Sequence, residues 1–374
     1  MIPFVDLKAQ HDSMQKELMN AFADTIDESD FIMGDPVATF EKQFAEKMGS
    51  NYCLAVGSGT DALRLSLRCL IPGHYGKCWS VFIPANGYIS AALAAWEFEA
   101  KPVLVDCGPD GEMDSGLFSE AILKDRSSNK LAMIVHMYGR PAPVLTFQNV
   151  LPDDVLILED CAQACGASCL DWWFPQYVGS LSRFGCFSFY PSKNLGALGD
   201  GGAILVNDPD DYGRLKRLRN YGEDGKNNHV SFGYNSRLDT MQARFLLTKL
   251  PHLDRWNSMR SMNAAFYRAG LNGVGDLKLP EPFPGHVYHI FMIQTKYRDE
   301  LQKHLESNGI QTRIHYPTPI HLQPCFAHLG YKVGVLPNSE RLAREGLSLP
   351  MYPELSHEQI DFTCGQVKEF FSKV

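Results

Sequence analysis

Nothing in this sequence is apolar for long enough to cross a bilayer, and its first residues lack the basic-then-apolar form of a signal peptide. These absences argue against a membrane protein and against export, so the cytoplasm is the expected location. Positive charge is in short supply: 35 Lys and Arg stand against 43 Asp and Glu, a net charge of −8. That balance gives no support to a nucleic-acid partner. Internal repeats, low-complexity tracts and flexible linkers are missing too. Cysteine is present, ten residues in all, but scattered. Only Cys161, Cys165 and Cys169 have a spacing that would put them on one helical face. A zinc site usually wants a fourth ligand and shorter pairs, so buried thiols and no metal are expected. A chain of 374 residues is also too large to need disulfide staples.

What is there suits a globular enzyme: 45% hydrophobic and 21% charged residues, in a length fit for one large and one small domain. Apolar, β-branched runs recur at 81–83, 103–105, 133–135, 155–158 and 203–206, with helix-like stretches such as 89–98 and 117–123 between them. This alternation predicts an α/β fold with a mostly parallel sheet covered on both faces. The first ~40 residues read as helical, with a loop at 29–34. A long helix is expected from about Gln242, carrying apolar Phe245, Leu246, Leu250 and Leu253. It should connect a large domain (1–245) to a smaller C-terminal one (246–374) with strands near 289–294 and 313–316.

One lysine stands in an unusual setting. A strand-like aromatic run, Phe187 to Tyr190, stops at Pro191, and Lys193 follows on a turn before a glycine-rich stretch. A lysine at the end of a buried strand is costly without a partner or a task, and a Schiff base with an aldehyde cofactor is such a task. A solvated turn lysine is the plainer alternative. Three other segments bear on the choice. The run 155–158 ends in Glu159-Asp160, as buried parallel strands with functional carboxyl ends do. Asp160 can face a pyridinium nitrogen or merely cap a helix. Gly57-Ser58-Gly59-Thr60-Asp61 opens a helix, where backbone N–H groups favour a phosphate. Tyr88, after another strand, can stack on a flat ring.

These motifs, together with Gly233-Tyr234-Asn235-Ser236-Arg237-Leu238-Asp239 and His315-Tyr316-Pro317, resemble those of the DegT/DnrJ/EryC1/StrS family of sugar aminotransferases, which depend on pyridoxal 5'-phosphate (PLP). The likeness runs from Phe4-Val5-Asp6-Leu7 to Leu347-Ser348-Leu349-Pro350, nearly the whole chain. It implies fold type I of the PLP enzymes, the aspartate-aminotransferase-like architecture. It implies that Lys193 carries PLP and then acts as the base, Asp160 binds the ring nitrogen, Gln163 faces the ring oxygen and Tyr88 stacks on the ring. Gly59, Thr60 and Ser188 would hold the phosphate, with Asn235 reaching it from the other subunit of a homodimer with composite sites. Arg219, Tyr221, Arg237, His315 and Tyr316 are the implied substrate contacts. The expected reaction is transamination of a nucleotide-linked keto sugar with L-glutamate as donor. The pattern at 86–89, 220–222 and 314–321 is most like the branch that makes dTDP-3-amino-3,6-dideoxyhexoses, with a 4-keto sugar as the alternative.

The sequence departs from the family pattern in places. Cys165 stands where histidine is common, Asn86-Gly87 replaces an Asn-Thr pair, the turn at 73–77 replaces a common acidic one, and the stretch 168–175, with the Trp172–Pro175 loop, looks rewritten and slightly expanded. None of these changes removes an implied cofactor ligand. Related sugar dehydratases often place histidine where Lys193 stands, which argues against dehydration. A nicotinamide-binding reading of Gly57-Ser58-Gly59 lacks the third glycine, since Ala62 takes its place.

Overall fold

The computed structural model describes residues 1–71, 76–171 and 174–374. Helices α1 (Leu7–Asp12), α2 (Gln15–Glu28) and α3 (Asp35–Met48) open the chain. Strand β1 (Tyr52–Val56) leads into α4 (Gly59–Leu70). Then β2 (Trp79–Pro84), β3 (Lys101–Val105), β4 (Asn129–Val135) and β5 (Leu156–Asp160) alternate with α5 (Ser90–Glu97), α6 (Ser115–Lys124) and α7 (Val144–Val150). A hairpin of β6 (Ser168–Asp171) and β7 (Phe174–Tyr177) precedes β8 (Phe184–Ser188), β9 (Gly202–Val206) and α8 (Pro209–Arg219).

Seven of these strands form one sheet in the order β1-β9-β8-β5-β4-β2-β3. β2, β3, β4, β5 and β8 run parallel, while β9 is antiparallel to both its neighbours. Every residue of β2 and β9 is buried, as expected of strands covered on both faces. Successive side chains face opposite ways along a strand. Accordingly Cys186 joins a core with Phe82, Phe118 and Ile134, while the next residue, Phe187, joins one with Phe40, Phe44 and Leu246. The parallel strands all end on one edge of the sheet, where binding crevices form in open α/β folds.

The long helix expected from Gln242 is two helices, α9 (Thr240–Lys249) and α10 (Leu253–Leu271), joined by a 3-10 turn at Leu250–His252. Pro251 sits in that turn and removes a backbone donor. The domain boundary expected at 245/246 therefore falls inside α9. Beyond α10, β10 (Phe291–Gln294) pairs antiparallel with β11 (Gly346–Leu349). α11 (Arg298–Ser307), α12 (Pro337–Glu345) and α13 (His357–Phe371) complete this part. A third apolar cluster joins Ile2 to Tyr267, Phe291, Leu301, Leu347 and Val367.

Two further expectations need correction. Residues 313–316 are not a strand: Arg313 makes one isolated bridge to Ser348, and Pro317 and Pro319 then deny the backbone further donors. No helix follows Asp160 either. Turns lead through Gly166, at φ +81°, into β6, so Cys161, Cys165 and Cys169 do not share a helical face. Three residues of the turn at 73–77 (Gly73, His74 and Tyr75), with Trp172 and Trp173 of the following loop, lie outside the described residues. No helix among the described residues is long and apolar enough to cross a membrane.

Candidate active site

The strand ends converge on a cavity of about 510 Å³ whose lining includes Gly59, Thr60, Tyr88, Asp160, Gln163, Ser188, Lys193, His315 and Tyr316. Nine of the thirteen site residues expected from the sequence are thus brought together. The size is ordinary for a small-molecule site.

One end of the cavity is built for an anion. Ser58 caps α4 by accepting from the Asp61 N–H at 3.0 Å. The first N–H groups of the helix have no partners within it and carry the positive end of its dipole. A Cβ on Gly59 would lie 2.5 Å from Ser188 Cβ, and one on Gly202 would lie 2.4 Å from the Ser58 carbonyl. Glycine at both positions lets β1, β8 and β9 draw this turn tightly against Ser188.

Asp160, the last residue of β5, is 7% exposed. Its Oδ1 accepts from the Ala162 N–H at 3.0 Å. Burial raises its pKa, against the lowering pull of that bond and of Lys193. Burial also pushes Lys193 down to about 8, with Asp160 pulling the other way. For both groups the loss of solvent outweighs their attraction, so the amine is readily made neutral. His289, which the sequence reading passed over, brings Nε2 to 3.5 Å from Lys193 Nζ. Burial and the Lys193 charge hold His289 well below the usual histidine range. Ser58, Ser192 and Asp200 also line the cavity unforeseen. Of these only Ser58 carried a local signal, as a capping residue before a helix.

Gln163 has its amide orientation fixed. Its Oε1 accepts from the Tyr138 N–H at 2.7 Å, so its NH2 group must be the donor, and it meets Tyr316 Oη at 3.1 Å. Tyr88 is 56% exposed, with its ring 5.4 Å from that of Tyr316. His315 Nδ1 lies 2.9 Å from Ser348 Oγ, and burial brings its pKa down to about 4.

The carboxylate beside Asp160 has a different task. Glu159, fully buried, accepts from the N–H groups of Gly179, Leu181 and Ser182 at 2.7, 3.0 and 2.9 Å. His136 Nδ1 accepts from the Ala142 N–H, so its Nε2 carries the proton and donates to Glu159 at 3.1 Å. Cys161 lies close enough for these three to suggest a metal site. The bonds already made by His136 and Glu159 leave little for an ion, and this group serves as scaffold behind Asp160.

The other four expected residues lie elsewhere. Arg219 is 4% exposed, and its Nη1 donates to Glu41 and, at 2.8 Å, to the Ala55 carbonyl. It ties α8 to α3 and β1 and does not line the cavity. Arg237 donates to Asn220 Oδ1 at 3.0 Å and lies over the Tyr221 ring. Tyr221 borders a second cavity, of about 990 Å³, beside Arg68, Arg214, Arg217 and His229. Asn235 is exposed, in a bridge with Asn220, and its neighbour Ser236 accepts from the Gly57 N–H at 3.2 Å.

The family model described as the DegT/DnrJ/EryC1/StrS aminotransferase family matches residues 12–368. The chain belongs to this family. It is 39% identical to the dTDP-3-amino-3,4,6-trideoxy-alpha-D-glucose transaminase of Streptomyces venezuelae, over 100% of this chain and 97% of the relative. It is 38% identical to the dTDP-3-amino-3,6-dideoxy-alpha-D-galactopyranose transaminase of Aneurinibacillus thermoaerophilus, over 99% of both. The crystal structure of S. venezuelae DesV in complex with a ketimine intermediate superposes with a TM-score of 0.93, at 38% identity, covering 100% of this chain and 99% of that one. The α/β architecture with its mostly parallel central sheet is that of fold type I, and the chain is an aminotransferase.

Proposed function

We propose that the enzyme moves an amino group from L-glutamate to C3 of a dTDP-linked 3-keto-6-deoxyhexose, with PLP as cofactor. The observation that carries this reading is the meeting of Lys193, Asp160 and the N-terminus of α4 in one cavity. The residues present fit the cofactor. Its phosphate suits the α4 terminus with Gly59, Thr60 and Ser188, where added Cβ atoms would fill the cradle. Its ring nitrogen suits the Asp160 carboxylate, and its ring oxygen suits the fixed NH2 of Gln163. Tyr88 is free to cover its open face. When bound, the cofactor supplies an aldehyde that exchanges amines and a ring that withdraws electrons.

The chain's own groups do the rest. Asp160 holds a proton on the ring nitrogen, since a carboxylate favours the charged form. Lys193 Nζ takes a proton from the donor's amino-bearing carbon and later returns one to the sugar carbon, the work of a base whose pKa is lowered to about 8. His315 and Tyr316 border the cavity where the sugar would lie.

The same proposal makes the active unit a homodimer, with Asn235 of each protomer reaching the other's cofactor phosphate. Exposed Phe22, Ile26, Phe31, Ile32 and Phe232 give the chain apolar surface that suits such a contact. Tyr221 and Arg237, outside the first cavity, would then serve the site across that contact, with the basic wall beside Tyr221 facing a diphosphate. We take the site of action to be the cytoplasm.

The test is to incubate the protein with PLP, L-glutamate and the 3-keto or 4-keto form of the dTDP sugar, then locate nitrogen in the product by NMR. Nitrogen at C3 supports the reading. A 4-amino product alone overturns the choice of ketone. Loss of a hydroxyl without nitrogen transfer overturns transamination of these sugars.

A further inference from the structure

Fully buried lysines are rare, because a charge without solvent needs compensation. Lys249, at the end of α9, has 0% exposure, and it is remote from the chemistry in sequence. Its Nζ donates to the Gly196 carbonyl at 2.9 Å and lies 2.9 Å from His11 Nε2. Burial and the Lys249 charge lower the His11 pKa, which favours the imidazole as the acceptor of the lysine amine. Gly196 lies three residues beyond Lys193.

The segment between them is held on several sides. Its own backbone closes through Lys193 N–H to the Tyr190 carbonyl and Ala197 N–H to the Phe189 carbonyl, both at 2.8 Å. A Cβ on Gly196 would lie 2.2 Å from the Pro191 carbonyl, so the turn is as tight as glycine allows. Asn194 Nδ2 donates to Asn257 Oδ1 of α10 at 2.7 Å, and Leu198 N–H donates to Gln242 Oε1 of α9 at 2.8 Å. Burial lowers the Lys249 pKa to about 8, so below that pH its tie to Gly196 is the charge-assisted one among these, the stronger kind.

We propose that Lys249 is a positioning residue for Lys193: its buried amine pins the Gly196 carbonyl, His11 steadies that amine, and residues 193–198 thereby hold the reacting lysine in place. The inference rests on Lys193 being the reacting amine. It links the N-terminal helix α1 to the site through two hydrogen bonds. Neither Lys249 nor His11 lines the cavity.

The experiment is hydrogen exchange of the cofactor-free protein, wild type against Lys249→Met, which keeps the apolar stem and removes the amine. The amides of Ala197 and Leu198 should exchange roughly ten- to a hundredfold faster, the scale set by one lost hydrogen bond to a charged group, while those of β4 stay as they were. With PLP added, kcat should fall by a similar factor and KM for the sugar should hardly move, since misplacing a reacting group by about an ångström costs on the order of a hundredfold. His11→Phe should give a smaller change at the same two amides. Unchanged exchange at Ala197 and Leu198 in Lys249→Met overturns the proposal, and so does faster exchange spread evenly over the sheet. If Lys249→Met does not fold, His11→Phe decides by the same amides. Because exchange is read without cofactor, this outcome is separate from the role of Lys193, whose failure would appear as full turnover in Lys193→Ala.

Discussion

Lys193 can act as the proposed base only when uncharged, and its burial favours that form. Burial brings its pKa to about 8, against an ordinary lysine value of about 10.4. The neutral fraction grows as pH rises through the pKa. Trapping of an aldehyde on Lys193 in the cofactor-free protein, followed by borohydride and mass spectrometry, should therefore climb with pH, be half-maximal near 8 and level off above that. A midpoint above pH 10 contradicts the burial argument. Lys193→Ala should lower turnover by roughly 10⁴-fold or more while the fold survives. Asp160→Asn should slow the chemical step by about ten- to a hundredfold, because an amide does not favour the charged ring nitrogen. Near-normal rates with cofactor bound would leave Asp160 a structural carboxylate. That both line the cavity was legible because each ends or follows an apolar run with a group that such a run does not need. His289 was not, since nothing near it in sequence marks it and its link to Lys193 is made only in three dimensions. Arg219 misled for the same reason. Its basic run is visible, but the partner that consumes its charge, Glu41, lies far away in the chain.

At the scale of elements, the sheet was legible and its irregular neighbours were not. Buried parallel strands announce themselves as apolar runs, and the sequence reading found β2 to β5 and β9 within a few residues. The segment 313–316 was expected to be a strand, yet among the described residues its backbone makes a single bridge, from Arg313 to Ser348. The break between α9 and α10 was written in Pro251, whose consequence the apolar spacing around it concealed. Glycines at the β1–α4 turn offer a test at this scale. Gly59→Ala places a Cβ 2.5 Å from Ser188 Cβ, and Gly202→Ala places one 2.4 Å from backbone atoms of Ser58. Overpacking of this kind costs about 1–3 kcal/mol. Both variants should lower Tm, and both should weaken cofactor affinity, read by titrating the cofactor-free protein and following its absorbance. Gly225→Ala makes a control, since its added Cβ meets nothing within 4 Å, though its φ of +79° brings some backbone strain. It should cost less stability than either and leave cofactor affinity unchanged.

For the whole molecule, the proposed composite site predicts complementation. Lys193→Ala and Asn235→Asp subunits, each inactive alone, should recover part of the activity when mixed and refolded together, because one hybrid site then holds both intact residues. An active monomer, seen by sedimentation at assay concentration, would contradict it. The order of the central sheet has a consequence in time as well as in space. The proposed phosphate cradle joins Ser58, just past β1, to Ser188 at the end of β8, and β9 stands between those two strands as the antiparallel link. Because synthesis runs from the N-terminus, β1 and its helix leave the ribosome early and must wait for β9 before they have a neighbour in the sheet. A nascent chain that stops short of residue 202 has every proposed cofactor contact from Gly59 to Lys193 but no strand to bring the two ends together. Uptake of the cofactor then marks the moment at which the large sheet has closed, so PLP supplied during translation would favour finished chains over arrested ones.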